Sequence, residues 1–236
     1  MPQLEERVIA FADILGFKAL IRGLELDSSL HADVFRALQR IRFVRERQND
    51  VGKTRNNLKV SIFSDSIAIS GPRTAAATVV LTCGWLQSDL LYLGILLRGG
   101  ITVGPLVHDD EIVYGQGMVD AYLLESKVAH LPRVVVDSKV KELLRPTFEE
   151  ARLQTASDGI CYIDPFAFNS FADSAEELAA DGNDPREIYF IETLKRLEHS
   201  EATAPSLGAK AKWTWMISRC KKAAEAHVNR RNLQCP

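Results

Sequence analysis

Leu58-Lys-Val-Ser-Ile-Phe-Ser-Asp-Ser-Ile-Ala-Ile-Ser70 reads as two short strands around a Ser64-Asp65 tip, the pattern of a tight β-hairpin, although no Asn-Gly marks the turn. Upstream, Val8-Ile-Ala-Phe-Ala12 is an apolar run expected to form a buried strand, and Gly16 just beyond Asp13 suggests a tight turn into a helix. Asp27-Ser-Ser offers an N-cap, and Leu30, Val34, Leu38, Ile41 and Val44 recur at helical spacing, which predicts a helix of about five turns. The polar stretch 48–57, with Gly52, reads as a loop. Downstream of Gly71-Pro72, residues 75–92 are helical in composition and 95–107 form a strand interrupted by Gly99, Gly100 and Gly104. The glycines read as relief for a strongly bent strand. The resulting order, β-α-β-β-α-β, is the ferredoxin-like unit, in which the first and third strands lie side by side in the middle of an antiparallel sheet.

That topology gives two acidic residues a shared place. Asp13 ends the first strand and Asp65 sits at the hairpin tip, so both fall at the same end of neighbouring central strands. An aspartate at a strand end is often only a helix cap or turn former. Two that converge can instead hold a pair of hard divalent cations, which clamp the attacking and leaving oxygens of a phosphoryl displacement. Fold and site support each other here.

Composition bounds the alternatives. The 236 residues fit one large domain, or one domain with an appendage, and 46% hydrophobic residues are ample for a core. The net charge of -2 gives no global field to attract duplex nucleic acid or an anionic membrane. Cys83, Cys161, Cys220 and Cys235 lack C-x-x-C spacing and follow no signal peptide, so reduced thiols and a cytoplasmic location are expected. The longest apolar stretch, 75–97, is broken by Gln87, Ser88 and Asp89, so no membrane span is expected.

Beyond the core, 111–114 reads as a short strand, 118–130 as a helix and 133–137 as a strand before a helix near Lys141. A strand over 159–163, a helix over 185–198 opened by Pro185, and a last helix over 206–228 complete the chain. Trp213, Ile217 and Cys220 are at core-like spacing, and its lysines read as a solvated face. Trp213 and Trp215 point to different helix faces, one expected on the core and the other on a neighbour. His108 beside Asp109-Asp110 is read as a solvated loop tip rather than a second metal site. The division expected is 1–145 for the core and 146–236 for a strand and helix extension packed on it.

Phe11-Ala-Asp-Ile-Leu-Gly-Phe17 and Phe63-Ser-Asp-Ser-Ile67 resemble the two metal motifs of the class III nucleotidyl cyclases. The likeness continues in order through Leu97-Arg-Gly-Gly-Ile-Thr-Val-Gly-Pro105, Val113-Tyr-Gly115 and Ala121-Tyr-Leu-Leu-Glu-Ser126, about half the chain. It implies an α+β catalytic core and a phosphorus-oxygen lyase. It also implies that Asp13, Asp65 and the Ile14 carbonyl hold two Mg²⁺ or Mn²⁺ ions. The turn through Leu15, Gly16, Phe17 and Lys18 would receive the triphosphate, and a head-to-tail homodimer would build composite sites.

Departures refine the expectation. The positions where purine cyclases carry a base-reading Lys and Asp fall at Ser61 and Ile112, which cannot form that charged pair. Within the family the chain therefore most resembles the pyrimidine cyclases of bacterial Pycsar antiphage systems. This implies UTP, less favourably CTP, as substrate, and a separate effector activated by the cyclic product. A purine cyclase with unusual base contacts and a catalytically silent nucleotide-binding regulator are the alternatives. Tyr114 is expected to pack on the sheet, with base stacking as its other use. The usual Asn and Arg of the late helix fall at Val119 and Leu123, so another cation must serve the transition state. Arg98 and Arg73 are the candidates near strand ends, with Lys18 in the first helical turn.

Overall fold

The computed structural model describes residues 3–23, 28–52, 57–109, 112–168, 182 and 184–234. Strand β1 (Glu5–Ile14) turns into the short α1 (Phe17–Gly23) and then α2 (Ser28–Gly52). The hairpin follows as β2 (Lys59–Phe63) and β3 (Ser66–Pro72), then α3 (Ala76–Tyr92) and the long β4 (Leu97–His108). Next come β5 (Val113–Tyr114), α4 (Gln116–Leu123), a single π turn (Leu124–Val128) and β6 (Val134–Val136). The chain ends with α5 (Ser138–Lys141), α6 (Pro146–Arg152), β7 (Leu153–Thr155), β8 (Cys161–Ile163), α7 (Pro185–Ala202) and α8 (Leu207–Gln234).

These strands form one sheet in the order β2-β3-β1-β4-β6-β8-β7, with β5 paired to β4 alone. The four strands on the β2 side have the ferredoxin-like order and are antiparallel throughout. Beyond this unit one seam is parallel: β6 lies parallel to β4, with Gly100 opposite Val135. The π turn and the short segment after it carry the chain back across the face, so β6 restarts in the direction of β4.

The uninterrupted apolar run of β1 is explained by its central place. Val8, Ala10, Ala12 and Ile14 pack on one face with α2 and α3, while Ile9 packs on the other with Ala68, Leu106 and Ala121 of α4. A strand covered on both faces cannot alternate apolar with polar. Val34 and Ile41 of α2 are buried as their spacing predicts, and α2 continues to Gly52 through part of the expected loop. Asp27 lies outside the described residues, as do the side chains of Leu30 and Val44 and residues 53–56.

The later chain adds to this core from two directions. Strands β8 and β7 extend the sheet beyond β6, and α7 and α8 pack on the far side of α3 through Leu91, Tyr189, Phe190, Leu197, Met216 and Ile217. Both Trp213 and Trp215 join this second cluster, with Trp215 also on the Tyr162 ring of β8 at 5.7 Å. Trp215 thus reaches the neighbouring sheet end, and Trp213 lies against the cluster between α7 and α8. Cys83, Cys161 and Cys220 are free thiols. Among the described residues no helix is long and apolar enough to cross a membrane.

Candidate active site

Asp13 closes β1 opposite Ser66 of β3 on one side and Arg98 of β4 on the other. Asp65 forms the hairpin turn with Ser64, and its carbonyl accepts a 3.0 Å hydrogen bond from the Ile14 amide. The structure thus brings the two acidic segments together at one end of the sheet. Strand alternation puts the Asp13 side chain on the α4 face, with Ile9 and Phe11. Burial raises the pKa of Asp13, Arg98 opposes the rise, and the nearby Asp65 charge adds to it. The buried Oδ1 of Asp13 has no hydrogen-bond partner among the described groups. An orphaned carboxylate oxygen beside a second carboxylate is a suitable donor set for a hard divalent cation. Among the described residues no group of three or more His, Cys, Asp or Glu is placed to hold a metal ion. The remaining ligands would therefore be carbonyl, phosphate or water oxygens.

Arg98 is the cation at this site. Its guanidinium lies 3.6 Å from Asp13 Oδ2 and makes a second ion pair with Glu125. Sequence reasoning quoted Glu125 within a motif but gave it no role. The signal was a charged residue in an otherwise apolar helix end, and Glu125 is only 2% exposed. It stands on the π turn, a local widening of the helix that is frequent at functional sites. Gly100 explains how the turn comes so close to the sheet. A Cβ there would lie 2.3 Å from Leu124 Cβ and 2.8 Å from the Ala121 carbonyl oxygen. Gly104 does the same for Gly117 of α4, at 2.9 Å. These glycines serve close packing of α4, which replaces the expected relief of a bent strand.

Burial, and then the charge on Asp13, push the Glu125 carboxyl from 4.5 up to about 7, against the pull of Arg98. The folded protein then keeps a proton that the unfolded chain has released. This contribution to stability is complete below about pH 4.5 and is lost as pH rises through about 7. In metal-free protein, Glu125→Gln should flatten that decline, which in the parent amounts to roughly 3 kcal/mol. Urea unfolding at several pH values measures it, and parallel curves for the two proteins would assign the titration to another group.

The other sequence candidates fall in different places. Gly16 adopts φ +76 in the turn before α1, with Lys18 exposed on the first helical turn. Arg73 is corrected as a site cation: it pairs with Glu6 at 3.1 Å at the opposite end of β3, about 20 Å from the hairpin tip. Ser61 is buried, and its hydroxyl bonds His108 Nε2 at 2.9 Å. The second ring nitrogen of His108 bonds the Ser70 hydroxyl at 2.9 Å, which in turn accepts from Arg7 Nε at 3.1 Å. His108 is therefore a member of a buried polar chain along the sheet rather than part of a solvated loop tip; Asp110 lies outside the described residues. Ile112 and Tyr114 are about half exposed, and Tyr114 lies on β5 opposite Val107 of β4. Val119, Tyr122 and Leu123 are exposed along α4 as well.

No family model matches the sequence, and no curated protein matches it significantly. Solved structures share the fold. One structure of a bacterial light-regulated adenylyl cyclase superposes with a TM-score of 0.51 at 17% identity, over 70% of this chain and 92% of that one. Another structure of a bacterial light-regulated adenylyl cyclase gives 0.48 at 18% identity, and there the chain spans about half, 54%, of the matched protein. The monomeric guanylyl cyclase domain of the RhoGC fusion protein from the aquatic fungus Blastocladiella emersonii gives 0.44 at 15% identity, over 68% and 95%. At 17% identity, the first of these likenesses establishes the fold alone.

Proposed function

We propose that the chain is a metal-dependent nucleotidyl cyclase that converts UTP, with CTP the less favoured substrate, into the 3′,5′-cyclic monophosphate and pyrophosphate. The observation that carries this reading is the meeting of Asp13 and Asp65 at adjacent strand ends, beside Arg98, in a cyclase fold. Two divalent ions held by Asp13, Asp65 and the Ile14 carbonyl would supply activation of the ribose hydroxyl and neutralisation of the phosphates. The protein's own part is positional. Asp13 and Asp65 fix the cation seats, and the turn through Leu15, Gly16, Phe17 and Lys18 offers backbone amides and one ammonium to the triphosphate. Arg98 stands where the charge of the α-phosphate would develop once it leaves Glu125, in place of the cation that Leu123 lacks.

Preference for a pyrimidine is supported by the absence of a charged base-reading pair at Ser61 and Ile112. The Ser61 hydroxyl is already engaged by His108, and a small base asks for fewer polar contacts. A homodimer is supported by the exposed apolar row of Val119, Tyr122 and Leu123 near Tyr114 and Ile112. The resemblance to antiphage cyclases adds a separate effector that the cyclic product activates.

A silent nucleotide-binding regulator is the second reading, favoured by one observation: Arg98 is held in ion pairs on both sides. Incubation of the protein with Mn²⁺ and each of the four ribonucleoside triphosphates separates the readings. Cyclic UMP or cyclic CMP is the expected product. A cyclic purine nucleotide would overturn the base assignment, and binding without turnover would overturn catalysis.

A further inference from the structure

A second cavity, of about 730 Å³, lies between α1, the turn into β4 and the α7–α8 pair. The Asp13 side chain faces the other side of the sheet, against α4, while Leu15 and Gly16 of the candidate triphosphate turn lie on the wall of this cavity. Its wall is mostly apolar, from Leu15, Leu20, Ile95 and Leu96 to Trp213. The ionisable groups on that wall are Lys195, Arg196, His199 and Lys212 against the single acid Asp33. Asp33 is taken by Arg196 at 3.0 Å, and Lys195 is paired with Glu192 at 2.7 Å. Among the described residues neither Lys212 nor His199 has an ion-pair partner. Lys212 is only partly exposed, next to Trp213. A pocket of this volume, largely apolar with a few convergent polar groups, is the ordinary form of a small-molecule site. An unbalanced positive charge at one end decides the sign of its ligand.

We infer that this cavity binds a small organic anion, a carboxylate, sulfonate or phosphate ester on an aromatic or aliphatic body, with the anionic group at Lys212 and the body against Trp213 and Leu15. The site has a direct line to the turn after Asp13. The Leu15 side chain packs with the cluster beneath the cavity, and its amide donates to the Leu96 carbonyl at 2.8 Å. Occupancy therefore bears on the segment that carries the candidate triphosphate turn.

The probe is 8-anilinonaphthalene-1-sulfonate, followed by its own emission and by energy transfer from tryptophan, with the uncharged N-phenyl-1-naphthylamine for comparison. One saturable site is expected for the sulfonate, with the neutral analogue weaker by about tenfold or more. Lys212→Glu and Ala209→Trp, the second filling the cavity, should each weaken the sulfonate by at least about tenfold, while Lys210→Glu, which makes the same charge change outside the cavity, should not. Circular dichroism confirms folding, and Lys212→Gln replaces any variant that fails to fold. Equal affinity for the two probes, equal loss in the Lys210 and Lys212 variants, or undiminished binding in Ala209→Trp would overturn the assignment. Binding is read without turnover, so its failure leaves the cyclase reading standing, and the reverse holds too.

Discussion

Asp65→Ala should lower nucleotide turnover by about a thousandfold or more while the folded protein keeps its melting temperature. The two halves of this expectation have different origins. The Asp65 side chain is partly exposed on a two-residue turn, and what that turn contributes to the fold is its carbonyl, which accepts the Ile14 amide and survives the substitution. Surface substitutions away from buried partners change stability by about half a kcal/mol at most. The carboxylate, by contrast, is one of the two that converge at the strand ends, and the third acid of the site, Glu125, is held by Arg98. Turnover is measured with Mn²⁺ and the productive nucleotide, and stability by thermal unfolding. Activity within about tenfold of the parent would remove the metal role of Asp65. Loss of the fold would show that the hairpin tip supports more of the sheet than its exposure indicates.

Gly100→Ala should be strongly damaging. The added Cβ would meet Leu124 Cβ at 2.3 Å, the Ala121 carbonyl oxygen at 2.8 Å and the Glu125 amide nitrogen at 3.1 Å. Two of these three atoms are backbone, so no rotamer change relieves them, and the π turn must move off the sheet. Overpacking of this kind costs about 3 kcal/mol, which lowers the melting temperature by roughly 6 to 12 °C in a chain of this size. Turnover per total protein should fall with the folded fraction. Gly84→Ala is the informative control. The three atoms nearest its Cβ all belong to the Phe168 ring, the closest at 2.1 Å, so the clash is with a side chain and not with backbone. A smaller loss there than at Gly100 identifies backbone crowding as the cause, and equal losses would refute it.

Much of the core was legible because its signals are local. The hairpin at Ser64-Asp65, the apolar run of β1 and the helical spacing on α2 each follow from a few neighbouring residues, and together they determine strand order. What the sequence hid depends on contacts between distant segments. Glu125 reads as an ordinary helix-end acid until the π turn places it against Arg98. Gly100 and Gly104 read as bends because the helix that needs their missing side chains comes later in the chain. Ser61, a residue without evident purpose by itself, acquires one only through His108, 47 positions away. Arg73 erred in the opposite sense: its nearness to a strand end was visible, but which end was not. Strand β7, three residues long, is too short to carry a period.

The main-chain bond from the Ile14 amide to the Asp65 carbonyl ties the last residue of one central strand to the bend between two others. The gap between the acids is consequently gauged by peptide geometry, which does not stretch, instead of by pliable side chains. Such a rigid caliper discriminates cations by radius. The magnesium-to-manganese preference should then respond to changes in hairpin length far more than to substitutions in the surrounding wall.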